Sequence, residues 1–244
     1  AQTIRTTKGL NFSNCITGYQ PHKYIVEANL GSSAASYNDL PLFRMAEVYL
    51  NYAEAKAELG EITQGDLDIS VNKIRARAKM PNLNLTAAND SPDPYLSSAE
   101  TGYTNVTGAN KGVILEIRRE RNIELVLESQ NRWWDLMRWK EGACIGQKME
   151  GLYIPADKIG KAYDVNGDGN ADICVYSGTQ PSVKENVTWF NLDTDYKLSE
   201  KGSGKIVFFS DIVRKWNEER DYFYPIPKED IILTGGKIEQ NKGW

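Results

Sequence analysis

The run PLFRMAEVYLNYAEAKAELG, positions 41–60, constrains the fold more than any other stretch of the chain. Pro41 suits a first helical turn, where its missing N–H costs nothing, and Gly60 suits a stop. Leu42, Met45, Tyr49 and Tyr52 recur at helical spacing on one face, and Ala46, Leu50, Ala53 and Ala57 on another. A helix with one bulky and one small face is expected to pack against two neighbours. A second helix is predicted from about Asp66 to Ala78, with Leu67, Val71, Ile74 and Ala78 in one stripe. The short turn between them carries Gly60 and Gly65, which implies an antiparallel helical hairpin.

Residues 79–110 read as loop, because NDSPDP and the Gly, Asn and Thr beyond it carry no sustained period. A third helix is expected over about Gly112 to Ser129 and a fourth over about Arg132 to Lys140. Two hairpins, at about 41–78 and 112–140, point to a mainly α fold with helical-repeat packing. After Gly142 the character changes. Residues 150–210 are rich in Gly, Asp, Asn and Thr, with short β-type runs at Ile173-Cys174-Val175-Tyr176 and Ile206-Val207-Phe208-Phe209. The Pro-punctuated tail from Tyr222 reads as extended. It lacks linker composition and is expected to pack back on the helices, so residues 1–244 are predicted to form a single domain.

A net charge of −4 supplies no broad basic field, which argues against nucleic acid as a partner. No stretch approaches the roughly 18 apolar residues of a membrane-spanning helix. Cys15, Cys144 and Cys174 lie far apart and show no metal-ligand spacing, and an odd count precludes a complete set of internal disulfides.

The sharpest motif is Asp164-Val165-Asn166-Gly167-Asp168-Gly169-Asn170-Ala171-Asp172. Side-chain oxygens at Asp164, Asn166, Asp168 and Asp172, with the carbonyl of Asn170, suit a structural calcium ion, and Gly169 permits the sharp turn. Val175 stands where an EF-hand needs Glu, and no helical pattern flanks the loop, so it is not an EF-hand. The plainer alternative is a polar turn that binds nothing. A second candidate is the carboxylate pair Glu120 and Glu124, which interrupts the apolar stripe of Val113, Ile117 and Leu127. At i and i+4 the pair lies roughly 6 Å apart at Cβ, not far from the separation in a retaining glycosidase. The nearby Arg118, Arg119, Arg121 and Arg132 favour a semi-buried ion network, because arginines keep both acids ionised where a general acid needs a raised pKa.

Arg132-Trp133-Trp134-Asp135-Leu136-Met137-Arg138-Trp139 is aromatic and basic together, and Trp133, Leu136, Met137 and Lys140 fall at core spacing. The only histidine, His22, has no Ser or Cys motif around it. There is no Gly-rich phosphate loop, HExxH or GxSxG.

Three segments together resemble the SusD/RagB family: the run 41–60, the pair Arg119–Leu125 and Asn131–Trp139, and the ending Tyr224-Pro225-Ile226-Pro227 followed by Gln240-Asn241-Lys242-Gly243-Trp244. The resemblance covers residues 41–244. It implies a mostly helical fold with tetratricopeptide-like hairpins, irregular loops and short β excursions. It further implies a non-catalytic lipoprotein on the outer-membrane surface of Bacteroidota, held by an N-terminal lipid anchor. Such proteins cover a SusC-like, TonB-dependent transporter and capture oligosaccharides or polysaccharides, or in some members peptides. Family chains are roughly twice this length, so the chain is expected to be a C-terminal half without the lipid-bearing Cys. Cys15 follows Phe-Ser-Asn, unlike a lipid-attachment site. No ligand-contacting residue carries over from the family; Tyr95, Tyr103, Tyr153 and Trp189 are the aromatic loop residues open either to sugar stacking or to packing.

Overall fold

A computed structural model describes residues 17, 19, 23, 24, 39, 41–128 and 131–244. Cys15, His22, Ile25, Val26 and Ser129 lie outside the described residues. The chain divides into two compact units: Asp39–Gln147 with Arg214–Trp244, and Ala1–Asn38 with Lys148–Val213.

The first unit is helical. Helix α1 spans Met45–Glu58 and begins four residues after Pro41, because Arg44 is still extended at φ −148. Pro41 therefore precedes the helix and does not open it. Leu42 and Phe43 stay outside it and are 81% and 89% exposed. The C-terminal stop falls at Gly60, whose φ of +75 lets the Glu61 N–H reach back to the Lys56 carbonyl at 3.0 Å. Of the two faces, the small one is the more buried: Leu50, Ala53 and Ala57 pack inward with Glu54, while Tyr49 of the bulky face is half-buried against the same core. Met45 and Tyr52 remain exposed. Small side chains let α1 approach the central helix α6, Lys111–Glu124, closely, and Val113, Leu115 and Ile117 of α6 are fully buried.

The expected second helix is two helices, α2 (Gln64–Ile69) and α3 (Val71–Arg77). A capping box starts α2, with the Thr63 hydroxyl accepting from the Asp66 N–H and Asp66 accepting from the Thr63 N–H. Ser70 breaks the run at φ −125, ψ −96, and its hydroxyl donates to the Asp66 carbonyl at 2.5 Å. Such back-bonding offers the backbone an alternative to the helical ladder.

The segment 79–110, expected to be loop, holds two short helices: α4 (Leu85–Asp90) and α5 (Pro94–Ser97). Asn84 and Asp93 cap them, each accepting a backbone N–H, at 2.9 Å from Ala87 and 2.8 Å from Tyr95. Helix α6 ends at Glu124, short of Ser129, in a turn where Leu127 takes φ +61. Helix α7 is Asn131–Arg138, and α8, Lys228–Leu233, interrupts the tail that was expected to be extended. The tail belongs to the helical unit.

The second unit carries two three-stranded sheets. Strands β1 (Met149–Ile154), β6 (Ser203–Phe208) and β5 (Lys197–Glu200) pair antiparallel in the order β1-β6-β5. In the other sheet, β2 (Ala162–Tyr163) pairs antiparallel with β3 (Ile173–Tyr176), and β3 pairs parallel with β4 (Thr188–Asn191). Inward residues of both sheets form one small core of Ile154, Ile173, Val175, Phe190, Ile206 and Phe208. Helices outweigh strands in the described residues, so the fold is mainly α with small sheets.

Candidate functional site

The loop 164–172 connects β2 to β3, so its two ends are pinned by a hydrogen-bonded pair of strands. Within it the side chains of Asp164, Asn166 and Asp168 fold onto the backbone just ahead. Asp164 accepts from the Gly167 and Gly169 N–H groups at 2.7 and 2.8 Å. Asn166 Oδ1 accepts from the Asp168 N–H, and Asp168 Oδ1 from the Asn170 N–H, each at 2.8 Å. Gly167 and Gly169 sit at φ +77 and +88, where a side chain would be strained. Asp172 is buried and closes the loop by accepting from the Val165 N–H at 3.0 Å and from Asn166 Nδ2 at 3.4 Å. The Gly169 amide, with that of Gly167, holds the Asp164 carboxyl below its ordinary range. Among the described residues, no group of three or more His, Cys, Asp and Glu is gathered as metal ligands.

Glu120 and Glu124 lie in an ion network, although their partners are not the neighbouring arginines. Arg75 from α3 pairs with Glu120. Arg44, just ahead of α1, pairs with Glu124, and Arg77 donates to both oxygens of Glu124 at 2.7 and 2.6 Å. Arg44 also holds Glu128 at 2.6 Å. The near arginines look elsewhere: Arg118 to Glu58 and Glu141, Arg119 to Glu116 and Asp93, Arg121 to Asp135. Arg132 donates to the Tyr103 hydroxyl at 2.6 Å.

Three acids escaped the sequence reading. Glu54, Asp135 and Glu141 are each at most 5% exposed. Burial works to raise the Glu54 carboxyl, but donation from Arg138 and Trp139 outweighs it and the group lies below its ordinary range. Glu141 accepts from the backbone N–H groups of Thr104 and Asn105 at 3.1 and 2.9 Å, tying the 103–105 segment to the end of α7. Asp135 has a partner at i+3 in Arg138, but Glu54 and Glu141 carry no such local signal, since their partners stand 23 to 85 residues away.

The aromatic candidates separate by burial. Tyr103 is buried, edge-on to Trp139 at 5.6 Å, with Arg118 over the Trp139 ring at 4.5 Å. Tyr95 and Tyr153 are exposed, and Trp189 is half-buried against Tyr176. Leu136 of α7 and Trp139 just after it reach the core, whereas Trp134 is exposed and Lys140, expected at a core place, is exposed with its ammonium over the Tyr222 ring at 5.9 Å. Trp133 is half-buried, its ring edge-on to Trp216 at 6.3 Å.

The two C-terminal segments of the resemblance meet in space. The Gln240 side-chain amide accepts from the Ile226 N–H at 2.8 Å and donates to the Ile226 carbonyl at 2.9 Å, so a side chain pairs with backbone as a strand would. Asn241 Nδ2 donates to the Tyr224 carbonyl at 2.7 Å. No helix among the described residues is long and apolar enough to cross a membrane.

Neither a curated protein nor a solved structure gives a match to the chain. A family model described as the SusD family matches residues 5–244, which extends the resemblance into the segment before residue 41.

Proposed function

The chain belongs to the SusD family, and from that premise we propose that it is a non-catalytic glycan-binding subunit of an outer-membrane nutrient-uptake complex. Its partner in this reading is a SusC-like, TonB-dependent transporter, and its place is the cell surface, as a lipoprotein. The observation that carries the reading is the match over residues 5–244, nearly the whole chain. Helices α1 to α3 and α6 to α7 then correspond to tetratricopeptide-like hairpins.

The arginine pairing of Glu120 and Glu124 supports a role without hydrolysis, because both carboxylates are engaged in ion pairs that tie other segments of the helical unit to α6. Affinity electrophoresis of the chain across a panel of polysaccharides tests the reading. Retardation by a polysaccharide, with no product released, is the expected outcome. Peptide binding with no retardation by any polysaccharide overturns glycan capture.

The loop 164–172 is further proposed to hold one structural calcium ion. Its donors, the side chains of Asp164, Asn166, Asp168 and Asp172 with the Asn170 carbonyl, are all hard oxygens, which is the donor chemistry calcium takes. Gly167 and Gly169 already give the loop its turns. An ion there would clamp β2 to β3 and take no part in chemistry. Melting temperature should rise with added calcium; unchanged melting after EDTA dialysis and calcium readdition removes the ion from the proposal.

A further inference from the structure

The strand-rich unit holds an open pocket of about 250 Å³ between the turn joining β4 to β5 and the end of β6. None of the residues discussed so far for glycan capture lines it. Its apolar lining comes from Leu192, Val207 and the buried Phe208. Phe208 and Phe190 hold the Tyr196 ring at 5.6 and 5.2 Å, and Tyr196 is one of the residues that line the pocket. Phe209 stands beside it with 56% of its surface exposed.

Two of the pocket's carboxylates are held in place by short-range bonds. Asp193 accepts from the Ser177 hydroxyl at 2.7 Å and the Gly178 N–H at 2.6 Å. Asp195 accepts from the Asn191 N–H at 3.0 Å and the Thr194 hydroxyl at 2.9 Å. A carboxylate oxygen has room for a second donor, so both acids stay available to hydroxyl groups. The third acid, Asp211, is paired with Lys197 at 2.7 Å. Three carboxylates against one ammonium leave the pocket negative.

We infer that this pocket is a subsite for one neutral sugar ring of a bound glycan, with Phe209 under the C–H face and Tyr196, Asp193 and Asp195 reading hydroxyls. The inference rests on the glycan-binding reading above. The pocket lies near the lower end of ligand sites, roughly 300 to 1,000 Å³, which suits a single ring of a longer chain. Its charge disfavours uronic acids and sulfated sugars, which would bring a like charge to Asp193 and Asp195.

The test is affinity electrophoresis of the whole chain and of Phe209→Ala and Tyr196→Phe, in dextran, xylan, laminarin, galactomannan and polygalacturonate. Phe209 is exposed, and Tyr196→Phe removes only an oxygen, so both variants should keep the native circular dichroism and melting. The expected result is retardation of the parent chain by a neutral polysaccharide and not by polygalacturonate, with affinity about tenfold weaker in Phe209→Ala. A smaller loss is expected in Tyr196→Phe. Retardation of the parent with both variants equal to it overturns the subsite while leaving glycan capture standing. Retardation by polygalacturonate alone overturns the stated specificity and the subsite with it. If no polysaccharide retards the parent chain, glycan capture itself fails and the subsite falls with it.

Discussion

The helical unit and the strand-rich unit use their charged residues in opposite ways. In the helical unit, carboxylates and guanidiniums are turned inward and consumed: Arg121 and Asp135 meet at 2.7 Å with side chains 6% and 5% exposed. Glu54 accepts from Arg138 and Trp139, and Glu141 is 2% exposed among backbone amides and Arg118. In the strand-rich unit the sheets' core residues are apolar, the buried Asp172 bonds within its own loop, and Asp164, Asp193 and Asp195 sit at turns, bound to nearby backbone N–H groups. A buried ion pair is costly to assemble and costlier to break, whereas a turn carboxylate keeps lone pairs for something else. The comparison teaches where recognition can reside: the helices spend their polar groups on themselves, and the strand turns leave theirs facing outward.

The largest test of that contrast is Asp135→Ala, which leaves the buried Arg121 with Asn51 and the more distant Glu47 and takes a carboxylate from Arg138. A loss of about 3–5 kcal/mol in urea unfolding is expected, and a loss below about 1 kcal/mol would mean that the buried network is not what holds the helices. Ile173→Ala probes the other side, since Ile173 is fully buried in the strand core. It should cost about 2–4 kcal/mol, a value that leaves the contrast intact only if Asp164→Ala costs clearly less in the same assay run without calcium.

Gly112→Ala sharpens the packing of α6 within the helical unit. A Cβ at Gly112 would stand 1.8 Å from the Ala88 carbonyl oxygen, so α4 or α6 must shift. The expected cost is about 1–3 kcal/mol, measured by the same unfolding curves. The smallest effect is a pH dependence. Hydrogen bonds from the Thr63 side chain, the Tyr52 hydroxyl and the Thr63 N–H hold Asp66 at about 2, below the ordinary 3.8. Its folded-state pKa is depressed, so its contribution is whole above about pH 4 and fades as pH falls toward 2. An NMR titration should place Asp66 near that value, and Asp66→Asn should flatten this part of the stability profile.

Much of the helical unit was legible because its determinants are periodic. The stripes of α1 and α6, and the stop at Gly60, follow from spacing and from one residue able to take a positive φ. Which face of α1 goes inward was not legible: both faces were expected to pack against neighbours, but close approach to α6 buries Leu50 and the alanines. The break at Ser70 and the short helices α4 and α5 depend on single hydrogen bonds from Ser70, Asn84 and Asp93, which leave no repeat to read. For the candidate site, the residues of the loop 164–172 and the pairing of Glu120 and Glu124 with arginine were visible. Their partners Arg44, Arg75 and Arg77 were not, because ion pairs across 45 or 80 residues are decided by the fold.

The helical unit is assembled from two stretches of chain, Asp39–Gln147 and Arg214–Trp244, with the strands of Lys148–Val213 between them. During synthesis, at about 5–20 residues per second, the helices therefore emerge before the residues that cover them. Trp133 waits for the edge of Trp216, and the Gly142 N–H for the Tyr222 hydroxyl at 3.1 Å. A ribosome stalled before residue 214 would hold a helical unit whose cover has not yet been made, so the arrival of Arg214–Trp244 is what completes that unit.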